Sequence, residues 1–221
     1  MASGLTKPDL IIFDCDGVLV DSEVLSCTAL SEALSQCGIE ITADDALDLF
    51  VGRSMAAVLQ HYRGEERLRP ESFAAALKSR VFQRFRQSLR PISDVDAVVS
   101  GLKTPFCVAS SSDLDRVLLS LELTGLAAHF GDRLYTSQMV PRGKPAPDLF
   151  LHAAARMQAA PSRTLVIEDS ISGVMAAKAA GMAVWGFVGG SHYRCRDGRT
   201  MLFDAGADRV FDRMTDFWKD R

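Results

Sequence analysis

Two aspartates, Asp14 and Asp16, stand one residue apart directly after a run of apolar residues at positions 10–13. The run has the composition of a buried strand, and side chains along a strand point the same way at every second residue. We therefore expect both carboxylates at the carboxyl end of this strand, facing one crevice. Carboxylates this close repel each other, so either a cation lies between them or one of them holds a proton. The alternative is a simple turn, since Asp16 precedes Gly17 and Asp-Gly pairs are strong turn signals.

Three later segments favour a functional site over a simple turn. Residues 106–109 lead into Ser110 and Ser111, residues 165–167 lead into Glu168 and Asp169, and Lys144 stands between a glycine and a proline. Two of these segments repeat the design of an apolar strand that ends in small polar or acidic residues. Because ligands of open parallel sheets bind outside the carboxyl ends of the strands, we expect all these side chains to converge on one crevice.

The combined set has the chemistry of a phosphoryl-transfer site. Carboxylate oxygens are hard ligands suited to Mg²⁺, which also takes water and phosphate oxygens. The predicted magnesium site consists of Asp14, Asp16 and Asp169, with Glu168 orienting a metal-bound water. Hydroxyl, backbone N–H and ammonium groups hold phosphate oxygens. The predicted phosphate-binding residues are Ser110, Ser111 and Lys144.

The order and spacing of these segments resemble the motifs of the haloacid dehalogenase superfamily. The matching residues are Asp14-Cys15-Asp16-Gly17-Val18-Leu19-Val20-Asp21-Ser22, Ser110 after its strand, Lys144 in Gly-Lys-Pro-Ala-Pro-Asp, and Glu168-Asp169-Ser170-Ile171-Ser172-Gly173. The resemblance covers nearly the whole chain and is best to the branch of sugar-phosphate phosphatases and β-phosphoglucomutase-like proteins. It implies a Rossmann-like doubly wound parallel sheet with an inserted α-helical cap.

The rest of the chain agrees with an α/β fold. Strand-like and helical patterns alternate from residue 106 onward, which favours parallel strands with helices on both faces. Between about residues 23 and 89 the apolar residues follow helical spacing without a strand pattern. We therefore predict a catalytic core of residues 1–17 and 92–221 and a helical cap of residues 18–91.

The resemblance also implies a mechanism. Asp14 attacks phosphorus and forms an aspartyl-phosphate, while Asp16 protonates the leaving oxygen and later accepts a proton from the attacking water. The substrate is expected to be a small phosphate monoester, a sugar or sugar-acid phosphate. The cap segment Gly52-Arg53-Ser54 resembles a loop that family members direct into the active site, so Arg53 is a candidate substrate ligand. A helix start capped near Ser54 explains the same segment equally well.

Other functions remain as alternatives. A β-phosphoglucomutase passes the phosphoryl group back to a sugar, and those of this branch carry a cap histidine where this chain has Ser26; His61 lies far downstream. Dehalogenation is disfavoured, because a halide needs no proton from a residue such as Asp16. A non-catalytic phosphate-binding or regulatory protein, such as a receiver domain, is also disfavoured, since receiver domains lack a cap and no motif residue is missing here.

Composition favours an enzyme of small metabolites. A net charge of −3 gives no reason to expect a nucleic-acid or membrane partner. The N-terminal residues 1–8 lack a signal-peptide pattern, and no apolar run is long enough to span a membrane. Five scattered cysteines favour reduced thiols over disulfides or a zinc site, and Cys15 is expected to point into the core. We expect a cytoplasmic monomer. Residues 189–192 follow a strand and could border the crevice, and we favour a flexible loop over that interpretation.

Overall fold

The computed structural model describes residues 7–218. The first six residues, which carry most of the N-terminal segment discussed above, and the last three lie outside the described part. Six parallel strands form one sheet in the order β3-β2-β1-β4-β5-β6. The strands are β1 (Leu10–Phe13), β2 (Phe106–Ser110), β3 (Leu134–Thr136), β4 (Thr164–Glu168), β5 (Ala183–Phe187) and β6 (Arg209–Phe211). The predicted Rossmann-like α/β sheet is confirmed.

Helices occupy the chain between the strands. They are α1 (Glu23–Gln36), α2 (Ala43–Phe50), α3 (Met55–His61), α4 (Pro70–Ser88), α5 (Val95–Gly101), α6 (Leu114–Leu123), α7 (Ala127–Phe130), α8 (Asp148–Arg156), α9 (Ile171–Ala179) and α10 (Gly198–Asp204). The described residues also form four short 3₁₀ helices: Ser137–Met139, Pro161–Arg163, Ser191–Tyr193 and Met214–Trp218. No helix within residues 7–218 is long and apolar enough to cross a membrane.

Strand β1 lies in the middle of the sheet, between β2 and β4, and its four residues are fully buried. Its side chains alternate between two apolar clusters. Ile11 and Phe13 belong to the larger cluster, and Leu10 and Ile12 belong to the cluster on the opposite face. A strand covered on both faces reads as a continuous apolar run, which explains the sequence at positions 10–13.

The segment between β1 and β2 is helical, as its spacing predicts, and α1 packs against both α2 and α4. Buried side chains of α1 and α4, among them Leu34 and Phe85, belong to the same cluster as Phe13 of the sheet. The four helices are therefore joined by continuous apolar packing to the face of the sheet that contains Phe13. Thr42 begins α2 with a capping box, since its side chain and that of Asp45 each accept from the other's backbone N–H.

Two differences from the sequence-based expectation bear on the site. Strands β2 and β4 each extend one residue further than predicted, so Ser110 and Glu168 are the buried last residues of strands. Strand β3 has only three residues and was not predicted, because so short a run carries little periodic signal. All five cysteines are free, and Cys15 is buried in the larger cluster, as predicted.

Candidate active site

The carboxyl ends of β1, β2 and β4 bring the predicted residues together. Asp14 directly follows β1, and its backbone N–H donates to the carbonyl of Ile167 in β4 at 3.0 Å. Ser110 ends β2 and Glu168 ends β4, and all three side chains are buried. The crevice predicted from the strand ends therefore exists, and its floor is formed by side chains that the sheet itself holds.

Lys144 lies at the centre of this floor. Its Nζ donates to Asp14 Oδ1 at 2.8 Å, to Glu168 Oε1 at 2.5 Å and to the carbonyl of Ala109 at 3.1 Å. The side chain is 1% exposed. Burial alone would lower the pKa of Lys144, but the two carboxylates outweigh it and raise the pKa above its usual value. Lys144 is thus a fixed cation.

Three buried carboxylates, those of Asp14, Glu168 and Asp169, form an acidic cluster whose oxygens lie within 4.8 Å of one another. Burial raises the pKa of Asp14 and of Asp169 well above the usual range, and the neighbouring carboxylates raise both further. Neither carboxylate oxygen of Asp169 accepts a hydrogen bond from another residue that the structure describes. One lysine cannot neutralise three carboxylates, so hard oxygen donors and unpaired charge here fit a divalent cation.

Two glycines let backbone approach these carboxylates closely. A Cβ at Gly17, which has a φ of +74°, would lie 1.7 Å from Asp169 Oδ2, and a Cβ at Gly173 would lie 1.8 Å from Glu168 Oε1. The second oxygen of Glu168 accepts from the backbone N–H of Ser170 at 2.8 Å and from its hydroxyl at 2.9 Å. The start of α9 therefore fixes the orientation of Glu168.

Asp16 lies apart from the acidic cluster and has partners of its own. Its carboxylate accepts from Ser22 Oγ at 2.6 Å, from Ser112 Oγ at 2.7 Å and from the guanidinium of Arg116 at 2.6 Å. Burial would raise the pKa of Asp16, but Arg116 and the two hydroxyls outweigh it and hold this pKa below its usual value. In this conformation Asp16 is ionised, and its carboxylate is not one of the three in the acidic cluster.

The sequence did not single out Arg116, Ser22 or Ser112. A signal for Arg116 does exist. It stands in the first turn of α6, where the helix dipole disfavours a cation, so an unusual placement there points to a specific partner. The partner, Asp16, is 100 residues away in the chain, and no local pattern connects the two.

A cavity of about 270 Å³ opens above Asp14, Asp16 and Ser110. Its walls come from the strand-end loops and from the helical segment between β1 and β2. The lining residues of that segment are Glu23, Ser26, Cys27 and Leu30 of α1, Phe50, Gly52, Arg53, Ser54, Met55 and Val58, and Ala74, Ala75, Leu77, Lys78, Val81 and Phe82 of α4. Ser111, one of the predicted phosphate-binding residues, also lines the cavity.

Arg53 is one of the lining residues. The structure has features that agree with each interpretation of its segment, a substrate ligand at Arg53 and a helix start capped at Ser54. The Arg53 side chain is exposed and has no hydrogen bond or ion pair with a residue in the described part of the chain. Ser54 is the N-cap of α3 and accepts from the backbone N–H of Ala57 at 3.4 Å. A capped helix start thus holds an unpaired guanidinium at the mouth of the cavity.

The loop after β5 is anchored to the site, in contrast to the flexible loop expected from its glycines. Ser191 donates to Asp21 from its backbone N–H at 2.9 Å and from its hydroxyl at 2.7 Å. The hydroxyl of Tyr193 donates to the carbonyl of Asp169. His192 is buried with its Nε2 3.1 Å from Asp169 Oδ2, and burial lowers the pKa of this imidazole. The loop thus packs against Asp169 through His192 and Tyr193.

Comparisons with known proteins give the chain its relatives. The sequence profile described as haloacid dehalogenase-like hydrolase matches residues 11–187. The chain is 26% identical over 190 residues to a 6-phosphogluconate phosphatase of Escherichia coli (strain K12), covering 85% of this chain and 86% of that protein. It is 31% identical over 176 residues to a fructose-1-phosphate phosphatase of the same strain, covering 78% and 92%.

The chain is also similar to a solved structure. It is the crystal structure of a HAD family hydrolase from Deinococcus radiodurans R1 with bound phosphate and sodium. That protein is 30% identical to this chain and matches it with a TM-score of 0.75, over 96% of this chain and 93% of the other.

Proposed function

This chain belongs to the haloacid dehalogenase-like hydrolase family, and we propose that it is a Mg²⁺-dependent phosphatase of small phosphate monoesters, sugar or sugar-acid phosphates. The proposed nucleophile is Asp14, which forms an aspartyl-phosphate intermediate. Two similar proteins are named as phosphatases of 6-phosphogluconate and of fructose 1-phosphate, and one similar structure holds phosphate. These names support the substrate class.

One observation carries the proposal. The carboxylate of Asp14 accepts from the buried cation of Lys144, lies within 4.8 Å of two further carboxylates, and lines a cavity that Ser110 and Ser111 also line. Such an arrangement supplies a nucleophile, positive charge and hydroxyl groups at one place, and phosphoryl transfer depends on positioning and on electrostatic stabilisation. A buried ion pair serving only stability would not need a cavity above it.

The proposed metal-binding residues are Asp14, Asp16, Glu168 and Asp169, of which Glu168 would orient a bound water. When bound, Mg²⁺ supplies positive charge that reduces the repulsion between the carboxylates and an anionic substrate. Lys144 and a bound cation would together favour the ionised form of Asp14, and Lys144 holds Asp14 Oδ1, which leaves the other carboxylate oxygen for the substrate. Ser110 and Ser111 bind the phosphate oxygens.

The proposed reaction has two steps that use the same two aspartates. In the first, a carboxylate oxygen of Asp14 bonds to phosphorus, the bond from phosphorus to the leaving oxygen breaks, and Asp16 gives its proton to that oxygen. In the second, water bonds to phosphorus, Asp16 takes the water's proton, and Asp14 leaves as a carboxylate. Proton donation requires Asp16 to leave Arg116 and to take up a proton from solvent before it meets the leaving oxygen, because Arg116 favours the ionised form.

We propose that residues 18–91 act as a cap. This cap selects the substrate, while the side chains at the strand ends bind the phosphate group. Ser26 stands on the cavity wall, and the lining that the structure describes holds no histidine. This supports transfer to water over transfer to a second sugar hydroxyl. Two further expectations belong to the proposal, that the protein acts as a monomer and that it acts in the cytoplasm.

The proposal is tested by incubating the protein and Mg²⁺ with sugar phosphates, sugar-acid phosphates, phosphoglycolate and nucleotides while measuring released phosphate. A parallel assay follows glucose 6-phosphate formed from β-glucose 1-phosphate. Release of phosphate from one group of sugar or sugar-acid phosphates is the expected result. Isomer formation without phosphate release would make the protein a mutase, and no reaction in either assay would overturn the enzymatic proposal.

A further inference from the structure

Glu23 is a buried acidic side chain without a partner. It is the first residue of α1 and is 5% exposed. Within residues 7–218 its carboxyl group makes no hydrogen bond and no ion pair with another side chain or with the backbone. A buried carboxyl group without a partner is costly, and nearly all buried polar groups in proteins are paired. Its position therefore needs an explanation other than stability.

Glu23 lines the cavity above Asp14 and Asp16. It belongs to one face of α1 that also contributes Ser26 and Leu30, at the spacing of successive helical turns. The hydroxyl of Ser26 is already occupied, since it donates to the carbonyl of Ser22 at 2.9 Å and accepts from Arg116 at 2.9 Å. Among the described polar groups of this face, the carboxyl of Glu23 is thus left for whatever enters the cavity.

The surroundings of Glu23 favour its neutral form near pH 7. Burial raises its pKa to about 8, the charges of Asp16 and Asp169 act in the same direction, and His192 and Arg116 oppose them. A neutral carboxyl group has one O–H donor and an acceptor oxygen, which together match an alcohol hydroxyl. The nearby wall is apolar, because Leu30, Leu77 and Val81 line the same cavity.

We propose that Glu23 is a specificity-determining residue that binds a hydroxyl group of the leaving alcohol, so the substrates are polyhydroxylated phosphate monoesters such as sugar and sugar-alcohol phosphates. The inference rests on the proposed phosphatase activity and adds a requirement to it. A single polar group on an apolar wall binds one polar group of the ligand and thereby fixes the ligand's orientation. A site built in this way rejects analogues without that hydroxyl, because the buried carboxyl then stays unpaired.

The test compares glycerol 1-phosphate with propyl phosphate, whose leaving groups have the same three carbons with and without hydroxyls. The measured quantity is the ratio of kcat/KM for the two substrates, in the wild type, in Glu23→Met and in Glu23→Gln. The matched control is Glu32→Met, since Glu32 is an exposed residue of α1 paired with Arg84. p-Nitrophenyl phosphate serves as a third substrate to report phosphatase activity in general.

We expect the wild type to prefer glycerol 1-phosphate by about tenfold or more, the effect of one buried hydrogen bond with its desolvated partner. Glu23→Met removes most of this preference. Glu23→Gln keeps the preference within about threefold of the wild type, because an amide also donates and accepts. Glu32→Met keeps the wild-type ratio.

A Glu23→Met protein with the wild-type ratio would overturn the inference, as would a wild type that does not distinguish the two substrates. Should Glu23→Met show no cooperative thermal transition, Glu23→Ala makes the same comparison. If the wild type hydrolyses p-nitrophenyl phosphate but shows no preference for glycerol 1-phosphate over propyl phosphate, the inference about Glu23 is wrong and the proposed phosphatase function still holds. If it hydrolyses none of the three substrates, the proposed function fails and the inference with it.

Discussion

The ammonium of Lys144 lies 2.8 Å from Asp14 Oδ1 and 2.5 Å from Glu168 Oε1, so one buried cation joins carboxylates at the ends of the adjacent strands β1 and β4. The three groups come from three distant parts of the chain. Their ion pairs are largely shielded from water, since the side chain of Lys144 is 1% exposed and that of Asp14 is 5% exposed. Removal of any one charge therefore leaves the others buried and uncompensated.

Lys144→Met is expected to lower both stability and activity. The substitution leaves Asp14 and Glu168 without their cation, which costs about 3–5 kcal/mol of unfolding free energy for a buried pair. Loss of this charge at the transferring phosphoryl group should lower kcat by about 100-fold or more. Urea unfolding and phosphate release measure the two effects. Lys178→Met is the control, because Lys178 pairs with Asp208 at the surface and should change stability by less than about 1 kcal/mol.

Metal removal is expected to abolish activity and to change thermal stability. EDTA should stop phosphate release, and added Mg²⁺ should restore it. Because the cation binds only the folded chain, Mg²⁺ should raise Tm as its concentration increases. Asp169→Asn should remove this rise, while Asp204→Asn, at an exposed position in α10, should keep it. A rise in Tm that persists in Asp169→Asn would place the metal elsewhere.

The stability of the metal-free protein should depend on pH through Glu23. Its pKa lies at about 8 in the folded chain against a usual value of 4.5. Between these values the unfolded chain releases the proton first, so the folded state loses stability as pH rises from about 4.5 to about 8. Below this window both states hold the proton and there is no loss. Glu23→Gln removes the titration, so its advantage over the wild type in urea unfolding should grow across the window to the order of a few kcal/mol. An advantage that stays constant with pH would contradict the burial of this carboxyl.

Gly173→Ala should disturb the acidic cluster. A Cβ at this position would lie 1.8 Å from Glu168 Oε1, and Glu168 is also held by Ser170 and Lys144, so it has little room to move. We expect a loss of at least tenfold in kcat/KM and a lower Tm. The unfolding free energy should fall by the amount typical for overpacking, about 1–3 kcal/mol. Circular dichroism at increasing temperature measures the stability change. Gly143→Ala provides the comparison for stability, since its Cβ would meet only Ser137 Cβ at 3.7 Å.

Much of the fold follows from sequence because its signals are local. Period-two alternation places Asp14 and Asp16 at the end of a buried strand, and the apolar runs of β4 and β5 are continuous because both faces of the sheet are covered. Helical spacing correctly predicted α1 and α4. The three-residue strand β3 was missed, since its assignment depends on pairing with β2 rather than on its own pattern.

The site was predictable in its types of residue and less so in its partners. Alternation along a strand cannot tell that Asp16 turns to Arg116 while Asp14 turns to Lys144, because both choices depend on side chains from other segments. Glu23 and His192 were missed for a similar reason. Their neighbours in sequence suggest a helix start and a loose loop, and only the packing of α1 and of the loop after β5 against Asp169 buries them.

In the proposed mechanism, Asp14 carries the phosphoryl group between the two steps. The most direct measurement mixes the enzyme, Mg²⁺ and a hydrolysed substrate labelled in its phosphate, quenches in acid within the first turnover, and locates the label by peptide mass spectrometry. We predict a hydroxylamine-sensitive phosphoryl group on the wild-type peptide that contains Asp14. In Asp14→Asn we predict neither labelled peptide nor turnover. Turnover by the wild type without any labelled protein, or an Asp14→Asn protein that hydrolyses at the wild-type rate, would contradict this mechanism.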